Sequence, residues 1–313
     1  MRRRDLLQIA SATAVSFAVS PSSWAKELAQ VSAVQRFKIG DSVVTALSDG
    51  FFQMDASLFP EVDDDGFKAA LLAAFQDPTV FLAAVNAYVI DDGTDVHIID
   101  SGTGSVFGPT LGKLPKTLAA AGYSPEQVKS LIVTHLHPDH IGGAVKDGKP
   151  VYPNAEMVVN GTDHAFWTDP ANQAKSPDSV KPFFDLAMAA VQGYEGRVRL
   201  FEGEADILPG ITAYPLPGHT PGHTGFVLAS GNDAVLFWGD VVHMPALQVA
   251  DPAVSIVFDV DPETAKKTRQ TVMDRAATDR IMVAGMHMDF PGIGYLERRD
   301  KGYHFVPAGW EYQ

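Results

Sequence analysis

The alternation of apolar and polar positions becomes strand-like at Phe37. Phe37-Lys38-Ile39 is followed by a Gly40-Asp41 turn, and Val43-Val44-Thr45-Ala46-Leu47 then runs to Asp49-Gly50. Val85–Ile90 and Val96–Ile99 predict a hairpin across Asp91-Asp92-Gly93, its second strand ending at Asp100-Ser101-Gly102. Ser124-Pro125-Glu126-Gln127 predicts a helix start, with Ser as N-cap, Pro in the first turn and Gln closing a capping box. Leu131-Ile132-Val133-Thr134 is a buried strand that runs into the most histidine-dense loop of the chain. Ala234–Trp238 ends at Gly239-Asp240, and Ile281–Ala284 ends at Gly285 before His287. Three strands thus deliver His or Asp at their C-terminal ends, the place where sheets flanked by helices present a site. Acidic residues 61–66 read as a solvated turn, and the helical, aromatic stretch from 160 to 200 as an insertion near the site. No internal repeat or low-complexity linker interrupts the pattern, which predicts an α/β or α+β domain.

Composition narrows the chemistry. The 313 residues, 46% of them hydrophobic and 10% aromatic, suffice for a sizeable core and exclude disorder over most of the chain. No run reaches the roughly 18 to 20 apolar residues of a membrane span. Lys and Arg number 24 against 38 Asp and Glu, a net charge of −14 that repels phosphate backbones and weighs against nucleic acid as a partner. Cysteine is absent, which removes disulfides, thiol catalysis and every cysteine metal site, so any metal must be held by His, Asp or Glu.

The first 25 residues read as an address label. Arg2-Arg3-Arg4-Asp5-Leu6-Leu7 opens a short apolar run to Val19, and Ser23-Trp24-Ala25 is a small-x-small site before Lys26. The adjacent arginines resemble a twin-arginine signal, a route that exports folded proteins. The expectation is a mature domain of residues 26–313, periplasmic or secreted; loss of the leader takes the net charge to −16.

His135-Leu136-His137-Pro138-Asp139-His140 places three imidazoles and one carboxylate within six residues. Four such donors converge naturally on one or two cations. They suit a single closed structural site, but Asp139 and His140 are better explained by a second ion beside the first. Pro217-Gly218-His219-Thr220-Pro221-Gly222-His223, the strand-end Gly239-Asp240 and the late His287 are weaker taken singly, since each fits a turn, a cap or a core position.

Together these residues resemble the metallo-β-lactamase-fold hydrolase superfamily, over roughly residues 35–305. The resemblance implies an α+β fold, a four-layer αββα sandwich with a two-metal site between its sheets. By position, His135, His137 and His219 would hold one metal, Asp139, His140 and His287 the second, and Asp240 would bridge them. Two cations about 3.5–4 Å apart lower the pKa of a shared water towards neutrality, so that a bridging hydroxide, with Asp139 and Asp240 in the catalytic set, serves as nucleophile. Zinc is the first expectation for the pair of divalent ions, and manganese, cobalt or iron suit the same ligands. The resemblance further implies that Asp100 orients a metal-bound imidazole, a role His223 shares with the alternative of a turn histidine.

Asp240 favours the phosphate- and ester-hydrolysing branches over the lactamases. Val106-Phe107-Gly108-Pro109-Thr110-Leu111-Gly112, Ala120–Val128, Phe290-Pro291-Gly292-Ile293-Gly294 and Lys301–Pro307 are similar to the methyl parathion hydrolase family with its exported lactonase and esterase relatives. That resemblance implies a homodimer, a small hydrophobic ester or lactone as substrate, and an aromatic leaving-group pocket of Phe107, Trp167 and Phe183, with His243 beside it. The PGHTPGH stretch equally resembles acyl-homoserine lactone hydrolases. Gly102–Gly108 imitates a dinucleotide fingerprint but has Phe107 at the third glycine, and Gly108–Lys113 imitates a phosphate loop with wrong spacing. The rival of another class is a non-catalytic periplasmic metal-binding protein using the same ligands.

Overall fold

The computed structural model describes residues 31–309, so the leader reading of residues 1–25 lies outside the described residues. The first hairpin pairs β1 (Val34–Ile39) with β2 (Ser42–Met54), Phe37 opposite Val44. The expected strand end at Asp49-Gly50 is instead a bulge, where the register shifts between Ser48 and Gly50, and β2 continues to Met54. The reason is the buried Asp49 carboxylate, which accepts from the N–H groups of Thr103, Gly112 and Leu114 and so gathers the 101–113 loop onto the strand. That is the segment that imitated phosphate-binding motifs; it is an irregular loop.

Residues 61–66, read as a solvated turn, instead lead into a helix. Asp63 accepts from Gly66 N–H at 2.8 Å and caps α1 (Asp64–Ala73). β3 (Phe81–Asp91) and β4 (Val96–Ile99) form the expected hairpin, and α2 (Leu114–Ala120) carries the chain across to β5 (Val128–Ile132), parallel to β4. The Ser124–Gln127 capping box forms, with Ser124 N–H donating to Gln127 Oε1 at 2.8 Å. It encloses a single 3₁₀ turn and no longer helix, because Val128 already enters β5.

After β5 come the short α3 (Pro138–Ile141), a small ladder of β6 (Val145–Lys146) and β7 (Lys149–Pro150), and β8 (Glu156–Asn160). The insertion holds α4 (Gly161–Trp167), α5 (Pro170–Lys175) and α6 (Lys181–Gly193) before β9 (Val198–Phe201). The first sheet therefore runs β1-β2-β3-β4-β5-β8-β9. The second keeps chain order: β10 (Asp206–Leu208), β11 (Ile211–Pro215), β12 (Thr224–Ser230), β13 (Asp233–Phe237), β14 (Met282–Ala284), β15 (Ile293–Arg299) and β16 (Gly302–Pro307). Its one parallel pair, β13 with β14, is bridged by α7 (Pro245–Gln248) and α8 (Pro262–Asp279).

Alternation along the strands sets the layers. Val44, Ala46, Tyr88, Ile90, Ile99 and Ile132 of the first sheet pack against Phe226, Val235, Phe237 and Ala284 of the second. Their neighbours Leu47, Val89, Ile98 and Leu131 face the other way, onto α2 and α6, and Leu236 and Val283 turn onto Val272, Met273 and Ala276 of α8. Each sheet is apolar on both faces, so helices cover the outer ones and the molecule is an αββα sandwich. Each fully buried Leu, Ile or Phe contributes about 1.5–3 kcal/mol. Among the described residues no helix is long and apolar enough to cross a membrane.

Candidate metal centre

β4 and β5 end side by side, and their ends build the histidine loop. Asp100, held at φ +60°, accepts from Thr134 N–H at 2.9 Å and from the Thr134 hydroxyl at 2.8 Å, which bends the chain out of the sheet directly before His135. The same carboxylate takes His140 Nδ1–H at 2.8 Å. Ser101 ties the loop from behind, donating to His140 O from its N–H at 2.7 Å and its hydroxyl at 2.9 Å. The second sheet supplies three more turns. His219 lies between β11 and β12, Asp240 follows β13, and His287 follows β14 and hydrogen-bonds through Nδ1 to Ala84 O of β3 at 2.8 Å.

These side chains converge as two groups of four: His135, His137, His219 and Asp240; and Asp139, His140, Asp240 and His287. In each group the ligand-type atoms lie within 4.8 Å of one another, and Asp240 is common to both. Its Oδ2 is 3.6 Å from His135 Nε2, 3.3 Å from His219 Nε2 and 3.2 Å from His287 Nε2, and its Oδ1 is 3.2 Å from His140 Nε2. His137 presents Nδ1, 3.0 Å from His219 Nε2. His135 Nε2, His140 Nε2 and Asp240 Oδ1 are buried without a hydrogen-bond partner. Orphaned donors of this kind are costly unless something meets them, and a nitrogen and oxygen set free of sulfur suits divalent cations.

The electrostatics agree. Burial, with the neighbouring imidazoles, holds His135 and His137 well below the usual histidine range, which leaves them neutral donors. Burial would raise the Asp240 carboxyl, but the surrounding imidazoles outweigh it and keep it ionised. Burial likewise opposes charge on His219 and His287, yet Asp240 with Asp259 raises the first to about 9, and Asp240 with Asp139 raises the second to about 10. The cluster therefore attracts positive charge, and a metal ion must displace protons to enter.

A cavity of about 560 Å³ opens over the two groups, with His137, Asp139, His219, Asp240 and His287 in its lining. Phe107, Phe183 and His243 are also in its lining. Trp167 is not. It is 1% exposed and lies beneath His137, edge-on to it at 4.9 Å and packed on Phe184, because α4 turns its indole into the core of the first sheet. Phe52 and Phe258 stand in the wall instead, Phe52 edge-on to Phe107 at 5.1 Å. Phe52 lies beyond the Asp49 bulge, which the strand pattern took as an end. His243 Nε2 is 3.0 Å from Asp240 Oδ2, and its ring stacks on His287 at 5.2 Å.

The family model of the Metallo-beta-lactamase superfamily matches residues 81–281, a span that carries six of the seven converging residues. The chain belongs to the metallo-β-lactamase superfamily. A crystal structure described as hydrolase AbOPH in the beta lactamase superfamily is 32% identical and superposes with a TM-score of 0.86 over 91% of this chain and all of that one. The dizinc quorum-quenching lactonase AidC shares the fold with a TM-score of 0.85 at 22% identity, covering 90% of this chain and 99% of that one. An N-acyl homoserine lactonase from Bacillus sp is 24% identical over 116 residues, 37% of this chain and 39% of that protein. The lactonase AttM from Agrobacterium fabrum (strain C58 / ATCC 33970) is 25% identical over 160 residues, 47% of this chain and 57% of that one. The chain thus spans about two-fifths of the length of the first curated relatives it matches.

In this superfamily member several residues support the centre from behind. His223 donates from Nδ1 to Leu216 O at 2.8 Å and accepts from Asp240 N–H through Nε2 at 2.9 Å, so it holds the backbone of the shared carboxylate. Gly239 makes room for it, since a Cβ there would lie 2.3 Å from His223 Nε2. Asp163 and Asp259 escaped sequence reasoning. Asp163, fully buried, accepts from Leu136 N–H at 2.9 Å and Gly222 N–H at 3.0 Å, and so clamps the two histidine turns together. Asp259 accepts from His219 Nδ1–H at 2.9 Å.

Proposed function

We propose that the protein is a metal-dependent hydrolase that opens a neutral, hydrophobic ester. The observation that carries this is two His/Asp groups sharing Asp240 below an aromatic cavity whose lining, among the described residues, has no Lys or Arg. His135, His137 and His219 would hold one divalent ion, Asp139, His140 and His287 the other, with Asp240 between them. When bound, such a pair supplies an activated water and Lewis-acid stabilisation of the oxygen that gains charge; zinc is the first choice.

The chain's own residues do the rest. Phe52, Phe107, Phe183 and Phe258 desolvate the apolar part of the substrate. Among the described residues the ionisable groups of the wall all belong to the His/Asp cluster, so away from it a substrate carboxylate would lie against phenylalanine rings without a counter-charge, which selects for esters whose apolar part is neutral. Asp139, with 16% of its side chain exposed against 2% for Asp240, is placed to pass a proton towards the leaving group. Within this class the names of the relatives support a lactone, and the runs similar to the methyl parathion hydrolase family support an aryl phosphotriester as the second reading. Export by a cleaved twin-arginine-type leader, residues 1–25, is part of the same proposal.

The test is kcat/KM of metal-loaded mature protein on an N-acyl homoserine lactone, on methyl parathion and on a carboxylate-bearing β-lactam. Turnover of one or both neutral substrates, and of the anion at least about 10²-fold more slowly, is expected from the missing counter-charge. Stoichiometric metal with no hydrolysis of any ester would instead favour a metal-binding protein.

A further inference from the structure

Asp259 is not an isolated partner of His219. Its side chain is fully buried, its Oδ2 accepts from Ile256 N–H at 3.2 Å, and it lies 3.7 Å from Arg269 Nη2. Arg269, projecting from α8, is itself only 1% exposed. Its Nε donates to Val241 O at 2.6 Å, and its Nη1 to Val254 O at 2.6 Å and Pro252 O at 3.2 Å. Val241 is the residue after Asp240. One guanidinium therefore stands behind two turns of the centre, the one bearing Asp240 and, through Asp259, the one bearing His219.

The intervening segment is pinned to the same place. Val260 N–H donates to His219 O at 3.0 Å and Asp261 N–H to Gly218 O at 2.9 Å. Next to Asp259, Phe258 reaches into the cavity wall. A buried arginine is costly to desolvate and persists only where its donors are matched. Here three backbone carbonyls and a carboxylate match the planar fork, an arrangement a lysine ammonium cannot reproduce. A neutral imidazole has one N–H. Where Nδ1–H is taken by a carboxylate, Nε2 keeps the lone pair a metal needs.

We propose that Asp259 and Arg269 form a positioning pair that locks His219 as its Nδ1–H tautomer, aims Nε2 at the group shared with His135, His137 and Asp240, and couples that imidazole to the Phe258 wall. The pair acts through His219 and touches no substrate. This inference rests on the two-ion reading of the site.

The experiment follows chelator competition and apoprotein melting for wild type, Asp259→Asn and Arg269→Lys, with histidine ¹⁵N chemical shifts of wild type. In zinc-loaded wild type, His219 should show Nδ1 protonated and Nε2 bound. Asp259→Asn should release one of the two ions with affinity weakened about 10–100-fold while the other is held as before, the usual effect of losing a carboxylate behind a metal-bound histidine. Arg269→Lys should shift the same ion in the same direction by less. Unchanged affinity for both ions in an Asp259→Asn protein whose apo form melts lower would reduce the pair to scaffold and overturn the proposal. So would an Nε2–H tautomer in wild type, a result that does not depend on either variant folding. Wild type that takes up fewer than two ions would overturn the two-ion reading itself, a failure visible before any variant is compared.

Discussion

The first sheet contributes His135, His137, Asp139 and His140 from one loop, whereas the second contributes His219, Asp240 and His287 from three turns far apart in the chain. The supports differ in the same way. Asp100, Ser101 and Thr134, which hold the first half, come from the ends of two neighbouring strands of its own sheet. The second half leans on Asp259 in a connecting segment, on Arg269 of α8, on His223 of the adjacent turn and on Ala84 O of the other sheet. A contiguous loop needs one bend to converge. A dispersed set needs every connecting segment to be held in place, so this half of the site depends most on the rest of the fold.

Removing the residue common to both halves should have the largest effect. Asp240→Ala is expected to lower bound metal from two ions to at most one and to reduce kcat/KM about 10²–10³-fold or more, read by elemental analysis and initial rates. Two bound ions with wild-type rates would show that the halves do not share a carboxylate in function.

Next comes the residue that ties the halves together. Asp163→Ala strips Leu136 and Gly222 N–H of a buried acceptor, and leaving two buried donors unmet is expected to destabilise by about 3 kcal/mol. Denaturant melts of the metal-free proteins measure this, and a change within 0.5 kcal/mol, the ordinary range of about ±0.5 for a surface substitution, would mean the two turns hold themselves.

The smallest effect concerns the outer brace of the second half. Burial tends to raise the Glu61 carboxyl, but hydrogen bonds from Lys266 and Ser255 outweigh it and lower it to about 2. With a folded value below the ordinary one of 4.5, Glu61 stabilises fully above about pH 5 and progressively less as pH falls towards 2. Because the side chain is 36% exposed, the contribution at neutral pH is about 1 kcal/mol after solvent screening. Glu61→Gln should therefore melt below wild type at pH 7, and the gap should narrow below about pH 4.5 and close only towards pH 2. A gap independent of pH would place the effect in packing and not in the ion pair.

The legible parts of this protein are those where neighbours in sequence are neighbours in space. The histidine cluster, the β3–β4 hairpin and the strand ends carrying Asp240 and His287 stand in the structure where the pattern put them. Elsewhere local signals were outvoted. The Ser124–Gln127 box closes without a longer helix because the following residues complete the first sheet, and β2 runs through Asp49 because a distant loop satisfies that carboxylate. Trp167 lies in the core and Phe52, which the sequence reading did not single out, stands in the wall for the same reason, since an aromatic in a helix or strand carries no mark of whether it faces core or cavity until the layers pack.

By itself, then, the chain's sequence determined which donors exist, that sulfur is absent, that one dense loop must bind or repel charge, and which strands end in His or Asp. Only the tertiary structure decided that seven residues meet, that Asp240 is common to two groups, and that Asp259 backs His219. Asp261, before Pro262, carries the mark of a helix cap and is the exposed cap of α8, whereas nothing in the sequence marks Asp259, which is buried beneath an imidazole. A carboxylate's role is set by what desolvates it and what donates to it, and both are supplied by segments remote along the chain.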